Sequence, residues 1–319
     1  MTLGRPTRRG GSVEPVEAAA DVLGPKARRG FPIGQLTTYR VGGAADLYFE
    51  ANSLEDLERV GEALRVSELA VLVIGKGSNL LVTDGGFEGL VLTLGEGFAA
   101  IETAGTRLSA GGSASLPVVA RASARTGLTG FEWAVGVPGS IGGAVRMNAG
   151  GHGSDMSQVT DSASVWDLFD SEVEDLDTPG LDFGYRRSSI SSGQVVIGAV
   201  LALSPGDRPE SESEISKIVS WRRANQPGGR NAGSVFTNPP DDSAGRLIEL
   251  AGLKGHRIGT AGVSTKHANF IQADSGGSAD DVVALVVFVM NEVEKRVGYR
   301  LTPELKIVGR SAPAFGGNR

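Results

Sequence analysis

The chain of 319 residues contains no cysteine. Disulfide bonds, zinc sites with thiolate ligands, iron–sulfur clusters and cysteine nucleophiles are therefore excluded. Histidine is also scarce, with three residues in the chain, and no second histidine lies at metal-ligand spacing from His267. The sequence therefore predicts no metal site and favours a packing or hydrogen-bonding role for His267.

The chain also lacks an excess of positive charge and a long apolar run. Its 31 Lys and Arg residues against 37 Asp and Glu residues give a net charge of −6, which argues against a general nucleic-acid-binding protein. No apolar run approaches the ~18–20 residues that span a bilayer, and the N-terminal sequence MTLGRPTRRGGSVEP lacks the apolar core of a signal peptide. We expect a cytoplasmic protein whose residues 1–30 form a flexible leader.

Glycine, in contrast, is abundant. The chain has 47 glycines, about twice the average usage of roughly 7%. They cluster in short loops between apolar runs, which indicates either backbone that lies close to a ligand or many turns with positive φ.

The first half of the chain begins with a β-α-β pattern. Apolar strands are predicted at residues 46–51 and 70–75, and between them a helix at 53–65 with Ser53 as its N-cap. Two short strands follow in LLVTDGGFEGLVLTL, then a helix at 115–127 and antiparallel strands at 163–168 and 195–203.

The second half alternates between helix and strand. The stretch SPGDRPESES is polar and predicts a loop and a domain boundary near residue 205. A charged helix is predicted at 214–226, and a longer helix begins at the capping pair Ser278 and Asp281. A short strand ends the chain.

Two glycine-rich segments indicate a nucleotide site. GKGSN (75–79) is neither a Walker A sequence nor a G-x-G-x-x-G motif, because Lys76 precedes glycine and position 80 is leucine. The second segment, residues 136–150, contains Ser140 and Asn148 among its glycines. Loops of small residues present successive backbone N–H groups that can surround a pyrophosphate. Together they suggest a bound dinucleotide, although each alone is also explained by structural glycine.

Three polar positions have a simple and a chemical interpretation. Ser234, in NAGSVFTNP, is either a turn residue before a strand or a reactive hydroxyl, but the chain has no G-x-S-x-G elbow to make it a nucleophile. The arginine pair Arg186 and Arg187, in YRRSS, is either solvated or supplies a clamp for carboxylate or phosphate. Glu304, taken alone, reads as a surface residue.

Seven motifs in register resemble the UDP-N-acetylenolpyruvoylglucosamine reductase (MurB) family of flavoenzymes. They cover nearly all of residues 34–309, in the order LTTYRVGG, GKGSNLLV, GLTGFEWAVGVPGSIGGAVRMNAGGHG, FGYRRSSI, NAGSVFTNP, AGLKGHRIGTAGVSTKHANFI and LTPELKIVG. The resemblance implies an α+β protein with an FAD-binding region of the vanillyl-alcohol-oxidase (PCMH) type, followed by a smaller α/β substrate domain.

The resemblance also implies a division of the chain. Residues 31–205 would form the FAD-binding region, in two subdomains split near residue 95. Residues 206–300 would bind substrate, and 301–319 would return to the active site as a strand and then a tail.

Site residues follow from the same resemblance. The implied FAD contacts are Gly75, Gly77, Ser78, Asn79, Gly139, Ser140, Gly142, Gly143 and Asn148. The implied contacts with the UDP-sugar are Tyr185, Arg223, Gln226, Asn238 and His267.

The implied reaction has two stages in one cleft. NADPH reduces FAD and leaves, and UDP-N-acetylglucosamine enolpyruvate then enters and is reduced to UDP-N-acetylmuramate, a peptidoglycan precursor. Arg186 and Glu304 match the residues that stabilise the intermediate negative charge. Ser234 matches the general acid that protonates carbon.

Some positions depart from the family's pattern. Arg146 lies within the implied FAD loop where a neutral residue is expected, and Thr237 replaces a lysine found in many members. Residues 190–205 are too few for the tyrosine-bearing insertion of one subtype. Two alternatives remain, an FAD oxidase or dehydrogenase of a small alcohol and a non-enzymatic FAD-binding protein; the set Ser234, Arg186 and Glu304 argues against both.

Overall fold

The computed structural model describes residues 13–313. In this part of the chain the α-helices are α1 Val13–Leu23, α2 Leu54–Ser67, α3 Leu116–Arg125, α4 Ile141–Arg146, α5 Arg208–Asn225, α6 Ala244–Leu250 and α7 Ala279–Val297. None of these helices is both long and apolar enough to cross a membrane.

The strands form two larger sheets and several short pairings. In chain order they are β1 Arg28–Phe31, β2 Ala45–Ala51, β3 Val71–Val73, β4 Leu80–Val82, β5 Phe87–Leu94, β6 Ile101–Ala104, β7 Arg107–Gly111, β8 Leu128–Thr129, β9 Gly150–Gly151, β10 Ser154–Asp155, β11 Thr160–Asp167, β12 Glu172–Asp177, β13 Gln194–Ala202, β14 Ser204–Pro205, β15 Arg257–Ile258, β16 Ala261–Val263, β17 Ile271–Ala273 and β18 Lys306–Val308.

The first sheet has the order β1-β2-β5-β3, and β2 and β3 both pair with β5 in parallel. Its central strands are apolar on both faces, as expected for a parallel sheet covered on both sides. Leu90 and Leu92 belong to a core shared with α1 and α2, whereas Val91 belongs to a smaller core on the opposite face.

The predicted flexible leader is wrong for residues 13–30. Helix α1 packs against α2, and Ala19, Ala20 and Leu23 are buried in the core of the first sheet. The positions 16, 19, 20 and 23 share one helix face, which explains why this short segment docks. Strand β1 then pairs antiparallel with β2. Residues 1–12 lie outside the described part of the chain.

The second sheet, in the order β12-β11-β13-β7-β6, is antiparallel throughout. It begins at Ile101, shortly after the first sheet ends at Leu94, and the sequence placed a subdomain division in this interval. Helices α3 and α4 contribute to the core of this second sheet.

The predicted boundary near residue 205 is displaced by one helix. Asp207 caps the start of α5 by accepting a hydrogen bond from the Glu210 amide, so most of the polar stretch predicted as a loop is helical. Ile215 and Ile218 of α5 are buried in the core of the second sheet. The apolar side of helix α5 therefore packs with the core of the second sheet, while the Arg223 carbonyl at its C-terminal end accepts from Lys266 of the following domain.

A third core is built mainly from residues after α5. The sheet β15-β16-β17 packs with α6 and α7, and Tyr39 and Leu81 from the N-terminal half are buried in the same core. Strand β18 leaves this domain and pairs in parallel with β4. The C-terminal segment is thus attached directly beside the first glycine-rich loop.

Candidate active site

The two glycine-rich segments face each other. A Cβ atom on Gly75 would lie 2.5 Å from Ser140 Oγ, and one on Gly139 would lie 3.8 Å from Ser78 Oγ. Gly77 has a positive φ of 58°, and a Cβ there would lie 2.4 Å from the Leu36 carbonyl oxygen. Close backbone packing and a positive φ therefore require glycine at 77, whereas the space at Gly75 is limited by the Ser140 side chain.

The loop that follows β3 presents a row of backbone donors. No acceptor within residues 13–313 receives a hydrogen bond from the amides of residues 75–78. A cleft with an empty volume of about 520 Å³, part of it open to solvent, is lined by this loop and the second glycine segment through Gly75, Lys76, Ser140, Gly142, Gly143 and Arg146. Successive free amides beside small residues fit the pyrophosphate of a dinucleotide.

Two asparagines predicted as FAD contacts also form hydrogen bonds within the protein. Asn79 Nδ2 donates to the Glu304 carbonyl oxygen, at 3.2 Å. Asn148 is buried, donates from Nδ2 to the Gly184 carbonyl, and accepts at Oδ1 from the Ser157 amide. Both side chains therefore position the residues around the site.

Arg186 and Glu304, 118 residues apart in the chain, form an ion pair. Arg186 Nε donates to Glu304 Oε1 at 2.5 Å. The side chains are 29% and 14% exposed, respectively. At this partial burial the pair is less screened than a surface pair and still accessible to a ligand.

The loop that carries Arg186 is fixed by several hydrogen bonds. Arg186 has a left-handed backbone, with φ of 55°, and its Nη1 donates to the Asn148 carbonyl at 3.4 Å. Ser188 Oγ donates to the Arg146 carbonyl at 2.8 Å. A strained non-glycine conformation held by its surroundings is typical of functional sites.

Glu304 is held between two segments. Its amide donates to the Val235 carbonyl at 2.8 Å, and its carbonyl accepts from Asn79. Since Val235 directly follows Ser234, the same hydrogen bond brings Ser234 beside Glu304. The structure therefore brings together the three residues that the sequence proposed as catalytic.

Ser234 is exposed at the start of this pairing. Among the described residues its hydroxyl forms no hydrogen bond, while the Val235 amide donates to the Asn269 carbonyl. Asn269 is buried and brackets Phe236, accepting from its amide and donating to its carbonyl. The backbone after Ser234 is thus rigid although the hydroxyl itself is free.

The residues predicted to contact the UDP-sugar lie on several different segments, and Tyr185 is next to the pair. Tyr185 is 68% exposed, with its ring centroid 5.3 Å from Arg186 Cζ. Arg223 is exposed at the end of α5, and Gln226 Oε1 accepts from Arg222 Nε. Asn238 is also exposed, and its Oδ1 accepts from the Ala244 amide at the start of α6. Each therefore keeps polar atoms that a ligand could use.

His267 is more enclosed than the other substrate candidates. Its Nδ1 accepts from the Asn269 amide at 3.2 Å, and its ring packs edge-on against Phe270. Burial lowers the pKa of His267, and the charge of Glu249 partly opposes this. The imidazole is therefore neutral near pH 7.

Sequence analysis missed Lys306 as a member of the site. Burial and the charge of Arg146 lower the pKa of Lys306, while Glu304 raises it, so both residues lie nearby. Lys306 begins β18 two positions after Glu304, but residue 305 lies in a bend between them. The spacing in the sequence therefore gave no simple signal for this neighbour.

Family models match both halves of the chain. The "FAD binding domain" model matches residues 45–176, which contain both glycine-rich segments. The model "UDP-N-acetylenolpyruvoylglucosamine reductase, C-terminal domain" matches residues 225–308, which begin at the end of α5 and include Ser234 and Glu304. The fold and the site therefore define an FAD-dependent oxidoreductase.

Individual proteins similar to this chain also indicate its family. The chain is 43% identical over 289 residues to UDP-N-acetylenolpyruvoylglucosamine reductase 2 of Symbiobacterium thermophilum, covering 90% of this chain and 93% of that protein. It is 41% identical over 278 residues to the reductase of Anoxybacillus flavithermus, covering 86% and 91%. The crystal structure of the Thermus caldophilus reductase (MurB) superposes with a TM-score of 0.77 at 33% identity, covering 88% of this chain and 99% of that one.

The chain belongs to the UDP-N-acetylenolpyruvoylglucosamine reductase family. It is an FAD-dependent oxidoreductase of peptidoglycan synthesis with NADPH as its reductant. The predicted fold class, cofactor and reaction are confirmed.

Proposed function

We propose that Arg186, Glu304 and Ser234 perform the reduction of UDP-N-acetylglucosamine enolpyruvate to UDP-N-acetylmuramate in this chain. The observation that supports this most is the 2.5 Å ion pair between Arg186 and Glu304, together with the backbone hydrogen bond from Glu304 to Val235, the residue after Ser234. NADPH and the enol ether use the same cleft in turn, in the cytoplasm.

The arginine–glutamate pair stabilises charge on the substrate. The chemistry that FAD supplies when bound is acceptance of a hydride from NADPH and donation of a hydride to the vinyl CH₂ carbon. Negative charge then develops on the adjacent carbon and spreads into the substrate carboxylate. The Arg186 guanidinium, which is planar and always charged, stabilises these oxygens. Glu304 fixes the guanidinium by accepting from Arg186 Nε, and Nη1 also contacts the Asn148 carbonyl, so the N–H groups that make neither contact are left to the substrate.

Ser234 supplies the proton that completes the addition. Hydride and proton together convert the C=C bond into a C–C single bond, so the atoms balance without a further reactant. The Ser234 hydroxyl acts as general acid toward carbon, and solvent returns its proton. Since it is not a nucleophile, Ser234 needs no histidine base.

The substrate is held by side chains around the pair. Arg223 and Gln226 at the end of α5 supply donors to the diphosphate, and Asn238 retains its Nδ2 donors. His267 donates through Nε2 because Nδ1 already accepts from Asn269. Tyr185 covers the Arg186 side of the cleft.

The experiment separates the two half-reactions. The purified protein with FAD is reduced anaerobically with NADPH, and the flavin absorbance is followed after addition of the enol ether. We expect rapid re-oxidation and UDP-N-acetylmuramate by mass spectrometry. Re-oxidation by oxygen alone, together with reduction of the flavin by a small alcohol, would contradict the proposal and support the oxidase alternative.

A further inference from the structure

Arg146 brings a positive charge into the cleft between the two glycine-rich segments. It ends helix α4 and lines the cleft together with Gly142 and Gly143. Residues three and four apart lie on the same face of a helix, so the two glycines and the arginine form one side of the cleft. The Arg146 side chain is half-buried, and it stands where the family resemblance leads us to expect a neutral residue.

The Arg146 guanidinium has no counter-ion among residues 13–313. Its Nη1 donates to the neutral carbonyl of Ser191 at 3.0 Å, and burial lowers the pKa of Arg146 with no carboxylate to oppose the effect. An arginine side chain carries five N–H donors, so several remain for a ligand. A half-buried charge of this kind is unfavourable unless an anion compensates it.

The lining of the cleft as a whole favours an anion. Lys76 and Arg146 are its charged residues, and no Asp or Glu is among the residues that line it, although the chain has a net charge of −6. The amides of residues 75–78 add further donors, because no acceptor in the described part of the chain receives a hydrogen bond from them. Cationic side chains and free amides together suit a diphosphate.

The lining also indicates which part of FAD the cleft holds. None of the three proposed catalytic residues lines it, so the cleft suits the half of the dinucleotide that carries no flavin ring. Its apolar walls, which suit an adenine ring, include Val73, Leu94, Val195 and Val196. The AMP half of FAD, with its diphosphate beside the glycine-rich segments, fits this combination of walls.

We propose that Arg146 binds the diphosphate of FAD, so that the affinity for the cofactor depends on an ion pair. The free amides offer hydrogen bonds without a net charge, whereas a guanidinium is always charged and can contact two phosphate oxygens at once. Arg146 therefore adds a charged contact to a site that the glycine-rich segments otherwise form from neutral groups and Lys76. This inference concerns the binding of FAD and is independent of the reaction proposed for Arg186, Glu304 and Ser234.

The test follows release of FAD from the holoenzymes of wild type, Arg146→Gln, Arg146→Lys and Arg121→Gln. Arg146→Gln retains an N–H donor for the Ser191 carbonyl but loses the charge, whereas Arg146→Lys retains the charge. Arg121 is a matched control, because its Nη1 also donates to a backbone carbonyl, that of Pro117, but it is exposed on helix α3 outside the cleft. After dilution, the fluorescence of released FAD gives the dissociation constant, and circular dichroism checks the fold.

The salt concentration separates a role of the charge from a role in packing. The measurements are repeated between about 0.01 M and about 1 M salt, over which the Debye length falls from ~30 Å to ~3 Å. We expect wild type, Arg146→Lys and Arg121→Gln to bind FAD more weakly as salt rises. At low salt, Arg146→Gln should bind FAD about tenfold more weakly than wild type, as for loss of a hydrogen bond to a charged group, and its affinity should depend less on salt.

Three results would overturn the inference. The first is wild-type affinity for FAD in Arg146→Gln. The second is weaker binding in Arg146→Gln with the salt dependence of wild type, because packing would then account for the loss. The third is a wild-type affinity that does not change with salt, and this result needs no variant, so it decides the question even if Arg146→Gln does not fold. The measurements use neither NADPH nor the enol ether, so their outcome is distinguishable from failure of the proposed reaction.

Discussion

Arg186 shows how a single residue is prepared for its role. Its left-handed backbone costs roughly 1–2 kcal/mol relative to a right-handed one. The hydrogen bonds from Asn148 to Gly184 and from Ser188 to Arg146 hold the loop in that conformation. The guanidinium is thereby aimed at Glu304 before substrate binds, so little reorganisation is needed during the reaction.

The first prediction concerns this pair. Arg186→Lys loses the planar fork, and Glu304→Gln loses the charge that fixes it. Each should slow re-oxidation of the reduced enzyme by the enol ether about 10²–10³-fold, the typical effect of removing one charge-stabilising donor. Reduction by NADPH should stay at the wild-type rate, because it precedes charge formation on the substrate. Stopped-flow absorbance measures both steps, with Arg187→Lys as control; equal rates in all variants would contradict the assignment.

The chemical identity of the site residues could be predicted, but their contacts could not. Ser234, Arg186 and Glu304 were selected by resemblance, and each alone had a plain structural interpretation. Their meeting depends on the pairing of β18 with β4 and on the Val235–Glu304 hydrogen bond. Contacts between residues so distant in sequence leave no local signal.

Helix α7 is anchored to the first half of the molecule through Asp84. This carboxylate accepts hydrogen bonds from Ser278 Oγ and from the amides of Ala279 and Asp280. It therefore satisfies donors at the helix N-terminus and complements the helix dipole. The contact joins the turn between β4 and β5 to the substrate domain.

The second prediction follows from this anchor. Asp84→Ala should lower the free energy of unfolding by about 1 kcal/mol, as expected for loss of a helix cap. Asp84→Asn keeps a hydrogen-bond acceptor and should therefore lose less free energy of unfolding than Asp84→Ala. Urea denaturation measures the free energy of unfolding of both variants and of wild type. Ser53→Ala, which removes only the cap of α2, shows how much stability the loss of one helix cap costs in this protein. No loss of stability in Asp84→Ala would show that solvent replaces the anchor.

Elements were predictable where their signals are local. The Ser53 and Ser278 caps are confirmed, because each side chain accepts from the amide three residues later. Helix α5 was partly missed, since Asp207 and Pro209 begin a helix in a stretch that also reads as a polar loop. Its assignment to the wrong domain has a different cause, because an apolar face does not specify which core it joins.

The stability of the whole molecule is expected to change with the protonation of His267. Its Nδ1 accepts from the Asn269 amide, and Asn269 holds the segment that follows Ser234. The folded-state pKa is lowered by burial below the unfolded value of about 6.5. On acidification the unfolded chain therefore binds the proton first, so stability is lost as pH falls below about 6.5.

The third prediction is that His267→Gln removes this part of the pH dependence. Unfolding by urea is compared for the two proteins at about pH 7.5 and pH 5.5, on either side of the ordinary histidine pKa. Wild type should lose more stability between these values than the variant. An equal loss in both proteins would mean that His267 does not titrate differently in the folded state.

The central claim is that Ser234 donates the proton to carbon, and Ser234→Ala tests it most directly. The variant and wild type are reduced anaerobically with NADPH and then mixed with the enol ether, with Ser213→Ala, an exposed serine of α5, as control. Removal of a general acid costs about 10²–10⁴-fold. We predict that Ser234→Ala accepts electrons from NADPH at the wild-type rate and then stalls, while Ser213→Ala completes both steps. Re-oxidation of Ser234→Ala at the wild-type rate would contradict the account and leave Ser234 as a turn residue before the buried residues Val235 and Phe236.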